Sequence, residues 1–325
     1  MLESGLCVLL GATVLIGGGE GLVRAASALA FRLRLTPTVI GLTVMALGTS
    51  FPELVVSVQA QLAGSQDIAF GNVVGSNLFN IGAVLGFCAL LRPLAIPHTT
   101  VRLEWPFMML ASGLIYFVGR SGPEGGSTEI DRLEGSFLVG SLIVFTGYML
   151  RLARRETSAE EARRLEEAVE DVAGAETVAP LWRTMVILVL SSVALWLGSD
   201  WFVLGAQGLA KAWGISERVI GLTVVAAGTG APEFVATLVA VWRGKTDMAV
   251  ANVVGSNIFN CLGILGVASL VKPLPTSSEI LGRDIWWMLG ISLGLGAFLY
   301  TRQLERWEGG VLFGAFVAFT VSLLV

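Results

Sequence analysis

The sequence predicts an all-α polytopic membrane protein of ten transmembrane helices, built as two inverted five-helix repeats. Three observations carry this expectation. The 325-residue chain is 54% hydrophobic and only 14% charged, whereas soluble domains carry about 25% charged residues. Apolar runs long enough to cross a bilayer recur from end to end. Residues 41–80 also return at 221–260 without a gap, with 22 of 40 positions identical, and an internal repeat outranks every other signal of architecture.

Taken in order, windows of bilayer length place spans near 6–31, 36–62, 69–91, 104–119, 135–151, 182–210, 217–242, 249–271, 285–301 and 309–325. The alternating ten-residue segments of a transmembrane β-barrel are absent. Span one is expected to be permanent, because Glu3 stands where a cleavable signal carries positive charge. Within it, Glu20 precedes Arg24 by one helical turn, so the two can pair. That structural role is preferred over cation entry for Glu20 and for Asp200, its equivalent in span six. Spans two and seven hold the first part of each repeat copy, and spans three and eight the second. Residues 120–134 read as a polar, Gly-rich loop.

Residues 151–180 form the one long charged stretch, with helical pairs such as Glu160 and Arg164. They are read as a cytoplasmic linker, since an EF-hand pattern is lacking. The first repeat is thus expected over 1–150 and the second over 181–325. Five spans per repeat is an odd number, so the second copy enters the membrane upside down. With the N-terminus outside, inner loops hold 14 lysines and arginines and outer loops 6. The positive-inside rule then puts both termini outside.

The repeated stretch carries the chemistry. In Gly48-Thr49-Ser50-Phe51-Pro52-Glu53, Pro52 deprives the Gly48 carbonyl of its helical partner. Backbone oxygens freed within a membrane are tolerable only where they line a cavity or bind something. Thr49 and Ser50 add hydroxyls, and Glu53 adds a carboxylate. Gly228-Thr229-Gly230-Ala231-Pro232-Glu233 repeats the arrangement with one hydroxyl missing. A charge in mid-membrane costs at least about 2.5–3.5 kcal/mol on insertion scales. No Lys or Arg lies in spans two, three or eight, and span seven holds only Arg218 at its outer start, so compensation is expected from a cation in solution or from a proton. Ser76 and Asn80 share a helical face, as do Ser256 and Asn260. Asn72 and Asn252, two turns earlier, could pack or line the path.

One membrane Glu or Asn is often structural, bonded across helices. Two glutamates at equivalent Pro-interrupted positions, each followed by Ser and Asn a turn apart, favour a site. The donors are all oxygens, which suits hard cations such as Ca2+ and Na+ rather than Zn2+. Cys7, Cys88 and Cys261 share no metal-ligand spacing and read as apolar fillers. His98 reads as a surface residue. No basic cluster with interleaved aromatics points to nucleic acid. No P-loop, nucleophile elbow or H-E-x-x-H points to an enzyme, and neither a cofactor nor a required protein partner is indicated.

The motifs GLTVMALGTSFPE with GNVVGSNLFN, and GLTVVAAGTGAPE with ANVVGSNIFN, resemble the two α-repeats of the calcium/cation antiporter superfamily, the sodium/calcium exchanger family in particular. The resemblance covers nearly the whole chain. It implies alternating access, with spans one and six sliding across the other eight. It implies Ca2+ coordination by Glu53 and Glu233, and sodium sites involving Thr49, Ser50 and Thr229 with the carbonyls of Ala46 and Ala226. It implies that Asn80, Asn260, Ser76 and Ser256 line the same cavity. Two departures stand out: Gly230 replaces the usual Ser, and Asn260 stands where some sodium-coupled members have Asp. They keep H+ as the alternative counter-ion. The motif wording of the proton-coupled branch differs, so Na+ is expected first.

The expectation is a secondary-active Ca2+/Na+ antiporter of a prokaryotic inner membrane, with inorganic cations and the lipid bilayer as its partners. A passive cation channel is the reading from another class. A transport-dead sensor is a third, disfavoured by the retained glutamates.

Overall fold

The computed structural model describes residues 1–33, 35–63, 66–120, 129–156, 180–214, 226–276 and 278–323. The charged linker beyond 156, most of the 120–134 loop and residues 221–225 of the second motif lie outside the described residues. The helices are α1 (Leu2–Leu33), α2 (Pro37–Thr49), α3 (Phe51–Leu62), α4 (Gln66–Leu78, continuing through Phe79–Leu85 and Gly86–Leu91), α5 (Thr100–Val118), α6 (Arg132–Glu156), α7 (Leu181–Ala212), α8 (Ala226–Thr229), α9 (Ala231–Trp242), α10 (Thr246–Val271), α11 (Ile285–Leu299) and α12 (Arg306–Ser322).

Six of these are long and apolar enough to span a bilayer, or seven if the bent pair α2/α3 counts as one. Of the ten expected spans, α9, α11 and α12 are shorter than this length at 12, 15 and 17 residues. The start of the seventh lies outside the described residues. The expected 36–62 helix is two helices, and the fourth span begins earlier than read, because Thr100–Glu104 forms a π-helical lead-in.

Burial sorts the helices. Within their most apolar windows α4 and α10 are 78% and 83% buried, against 22–33% for α1, α5, α6 and α7. Phe70, Val73, Leu78, Val84, Val250 and Val254 fill the centre. The outer helices present Leu, Val and Trp outwards, as a lipid-facing surface requires. Trp182, Trp213, Trp242, Trp286, Tyr300 and Trp307 are exposed at helix ends, where amphipathic rings suit the interface.

The two halves interlock crosswise. α4 packs on α12, and α10 packs on α6. Strand β1 (Leu94–Ala95) pairs antiparallel with β4 (Gln303–Leu304), and β2 (Glu129–Ile130) with β3 (Leu274–Pro275). Reciprocal capping bonds start both partner helices, Asp131 with Glu134 before α6 and Glu305 with Glu308 before α12.

α1 and α7, equivalent helices of the two halves, pack tightly through small residues. A Cβ on Gly205 would stand 2.6 Å from the Ser4 carbonyl, one on Gly198 3.0 Å from that of Gly11, and one on Gly18 3.1 Å from that of Ser191. Ser4, Gly11 and Gly18 recur every seven residues, as do Ser191, Gly198 and Gly205. The pairing order shows that α1 and α7 run antiparallel. Small residues let backbones approach where lipid offers no hydrophobic drive between helices.

Candidate functional site

The two breaks have one covalent cause. Pro52 and Pro232 lack an amide hydrogen, so the Gly48 and Gly228 carbonyls lose their partners. Ser50 (φ −84°, ψ 3°) and Gly230 (φ −86°, ψ 1°) leave the helical path at the same place. The axis turns by 43° between α2 and α3. Glu53 and Glu233 therefore fall in the first turns of α3 and α9, where the positive end of the helix dipole favours a carboxylate. Ser199 of α7 donates its hydroxyl to the freed Gly228 carbonyl. Its counterpart in α1 is Gly19, which has no hydroxyl.

Glu53 and Glu233 are each 1% exposed, and their carboxyl groups are near neighbours. Ser50 Oγ donates to Glu233 Oε1 at 2.7 Å, linking the first motif to the second. Thr49 also reaches the Glu233 carboxyl, while its Oγ1 lies 3.4 Å from the Ala46 carbonyl. That carbonyl accepts from the Ser50 amide at 3.0 Å as well. Ala226 opens the short α8 and Thr229, half-buried, closes it.

The second part of each motif enters from the central helices. α4 and α10 pass into π-helical turns at Phe79–Leu85 and Phe259–Ile264, with Asn80 and Asn260 second in each. Such turns are rare and recur at functional sites. α3 packs against Phe259–Ile264 and α9 against Phe79–Leu85, so each glutamate's helix meets the asparagine segment of the other copy. Ser76, Asn80, Ser256 and Asn260 are all buried.

Among the described residues, nine buried side-chain atoms have no hydrogen-bond partner, and five belong to this set: Glu53 Oε2, Glu233 Oε2, Asn80 Oδ1, Asn260 Oδ1 and Ser256 Oγ. Buried polar atoms are ordinarily satisfied. A concentration of buried oxygens free to accept is the donor set that a cation-binding cradle requires. Two adjacent carboxyl groups in a dry interior need positive charge. α2, α3, α4, α9 and α10 contain no Lys or Arg to supply it. With two acids and otherwise neutral oxygens, the donor set suits one hard divalent ion.

Other residues singled out in the sequence resolve differently. Asn72 Nδ2 donates to Ser57 Oγ at 3.0 Å and Asn252 Nδ2 to Thr237 Oγ1 at 3.1 Å. Both amides tie α4 to α3 and α10 to α9, the packing alternative. Glu20 pairs with Arg24 at 2.7 Å as expected, and also with Arg243 at the end of α9. Asp200 is exposed. His98 is exposed, Cys88 and Cys261 are buried, and Cys7 is half-buried.

Asn77 and Asn257 were not among the residues singled out. Asn80 Nδ2 donates to Asn257 Oδ1 at 3.0 Å, and Asn260 Nδ2 to Asn77 Oδ1 at 3.1 Å. The signal was available: both stand in V-V-G-S-N at the same offset as the rest of the repeat.

Gly230, the position lacking a hydroxyl, is filled by another residue's ring. A Cβ there would lie 2.5 Å from Phe79 Cδ1 and Cε1, so the aromatic side chain occupies the space a serine would need.

Residues 4–151 and 183–325 match the family described as sodium/calcium exchanger protein. Inner membrane protein YrbG of Escherichia coli is 32% identical over 99% of this chain and 97% of its own. Sodium/calcium exchanger MaX1 of Methanosarcina acetivorans is 32% identical over 98% of this chain and 97% of its own. The solved structure of the sodium-calcium exchanger NCX_Mj superposes with a TM-score of 0.81 at 27% identity, covering 99% of both chains.

Proposed function

The chain belongs to the sodium/calcium exchanger protein family, and from that premise we propose that it is a secondary-active antiporter exchanging Ca2+ for Na+ by alternating access. The observation that carries this reading is the sealed pair Glu53 and Glu233, each 1% exposed, with unpartnered oxygens of Asn80, Asn260 and Ser256 on the helices packed against theirs. Glu53 and Glu233 neutralise a divalent cargo. Asn80, Asn260, Ser76 and Ser256 complete its shell. Thr49, Ser50 and Thr229, with the carbonyls of Ala46 and Ala226, hold sodium when it replaces calcium.

In this reading the chain has ten spans in two inverted repeats, 1–150 and 181–325, joined by a cytoplasmic linker over 151–180. Antiparallel packing of α1 on α7 supports the inversion, as do the crosswise pairs α4 on α12 and α10 on α6. The match to a bacterial inner membrane protein supports an inner-membrane location, and the lysine and arginine bias of the loops is the ground for placing both termini outside. A passive channel is disfavoured, because a sealed cation site is an occluded state, whereas a pore needs continuity.

H+ is the alternative counter-ion, and one observation favours it: Phe79 takes the place of the second motif's hydroxyl at Gly230. The deciding experiment is 45Ca uptake into Na+-loaded proteoliposomes diluted into Na+-free buffer, beside a set given only a pH gradient. Na+-driven uptake that Glu53→Gln or Glu233→Gln abolishes is expected. Uptake under the pH gradient alone assigns H+ instead, and uptake under neither removes Ca2+ antiport.

A further inference from the structure

A neutral amide is a good cation ligand through Oδ1 and a poor one through its NH2 group, which carries positive partial charge. Asn80 and Asn260 therefore need something to decide which atom faces the site. We propose that Asn77 and Asn257 are the positioning residues that decide it, each acting on the asparagine of the opposite repeat. The inference rests on the reading of Asn80 and Asn260 as cation ligands.

The argument follows a chain of bonds from a fixed point. Asn257 Nδ2 donates to the backbone carbonyl of Asn77 at 3.2 Å, and a backbone carbonyl cannot exchange roles with a donor. That bond directs Asn257 Oδ1 toward Asn80, whose Nδ2 it accepts at 3.0 Å. With its NH2 so engaged, Asn80 is left with an unpartnered, buried Oδ1. The mirror chain holds on the other side. Asn77 Nδ2 reaches Cys261 Sγ at 3.0 Å and the Asn257 carbonyl at 3.5 Å. Asn77 Oδ1 accepts from Asn260 Nδ2 at 3.1 Å, and Asn260 Oδ1 is likewise unpartnered. All four side chains are at most 1% exposed, so no solvent competes for these bonds.

A carboxylate at position 80 has no donor to offer Asn257 Oδ1. Two acceptors would face one another, and Asn257 could not turn over without giving up its bond to the Asn77 carbonyl. Orientation by Asn257 thus helps an asparagine at 80 and harms an aspartate there.

That sign change is the test. Reconstituted full-length protein is assayed by 45Ca/40Ca self-exchange, which needs neither a sodium nor a proton gradient. Asn257→Ala is expected to raise the half-saturating Ca2+ concentration about 10–100-fold, the usual cost of losing an outer-shell partner, with a smaller change in maximal rate. In an Asn80→Asp background the same Asn257→Ala change is expected to lower it. A purely structural role predicts loss in both backgrounds, and that result overturns the proposal. Asn77→Ala with Asn260→Asp forms an independent cycle with the same expected reversal. Should none of the position 77 or 257 variants yield monodisperse protein, the pair is scaffold and the proposal is likewise overturned. Asn80→Ala separates the two levels. If it leaves half-saturation unchanged, the ligand reading itself fails. If it weakens Ca2+ while Asn257→Ala acts alike in both backgrounds, only the positioning role fails.

Discussion

Ser50 and Gly230 occupy one position of the repeat and make different contacts. Ser50 donates to Glu233 across the two motifs, and a hydrogen bond to a charged group is worth about 1.5–3 kcal/mol. Ser50→Ala is therefore expected to weaken apparent Ca2+ affinity by about tenfold or more in the self-exchange assay; an unchanged value would remove Ser50 from the site. Gly230→Ser presses a Cβ into the Phe79 ring. Overpacking of this kind costs about 1–3 kcal/mol, so the variant should melt lower in detergent. Gly230→Ser combined with Phe79→Leu should recover the loss, and equal melting of the single and double variants would show that the ring is not what excludes serine. The glutamates, the Pro breaks and the Ser/Asn faces were legible in the sequence because each type is out of place in a bilayer. Asn77 repeats along with them, but its role was not legible, because that depends on which atom of a second amide it meets across the two-copy contact. Phe79 was not either, because an aromatic in an apolar run gives no hint that it fills a gap left 151 positions later.

At the scale of the element, glycine marks where helices touch. A Cβ on Gly198 would meet the Leu15 amide nitrogen at 2.7 Å and the Gly11 carbonyl at 3.0 Å, both backbone atoms. Backbone cannot rotate aside, so Gly198→Ala is expected to separate α1 from α7 and to cost about 1–3 kcal/mol. Gly17 in α1 has no atom within 4 Å of such a Cβ. Gly17→Ala should be neutral or stabilise by up to about 1 kcal/mol through helix propensity. Melting curves of the two variants side by side test this, and similar losses in both would refute the seam. Ser199 gives a second case. Its hydroxyl satisfies the carbonyl that Pro232 leaves free, and an unsatisfied buried acceptor costs about 1–3 kcal/mol. Ser199→Ala is thus expected to lower the melting temperature, whereas Ser191→Ala, in the seam but off that carbonyl, should do so less. The long apolar helices could be read from hydropathy. The bend at Ser50 and the short α9, α11 and α12 could not be placed to the residue, because hydropathy averages over breaks.

For the whole molecule the repeat is the main fact. Positions 180 apart in sequence play matching parts: Asn77 bonds to its repeat counterpart Asn257 in both directions, and the contact of Gly11 with Gly198 maps onto that of Ser191 with Gly18. Reciprocity of this kind is what a local two-fold axis produces. The departures from it are few and identifiable. Glu20 joins Arg243 on one side, whereas on the other Asp200 is exposed and the counterpart of Arg243 is Ala63. Both members of that ion pair are partly exposed, at 26% and 45%, so its worth is about 1 kcal/mol or less. Glu20→Gln should leave the melting temperature almost unchanged.

The antiparallel seam of α1 and α7 has a consequence for energy landscapes. Exchanging the repeats maps its contacts Gly11–Gly198 and Gly18–Ser191 onto each other. Under alternating access, a displacement of this pair toward one face of the membrane is then the near mirror of a displacement toward the other. Two such end states start close to degenerate, and even about 1 kcal/mol confined to one side tilts their populations roughly fivefold. The tilt is set by the handful of side chains that break the symmetry, the Glu20–Arg243 pair among them. A protein of this design is reversible by construction, and the ion gradients across its membrane dictate the direction in which it runs.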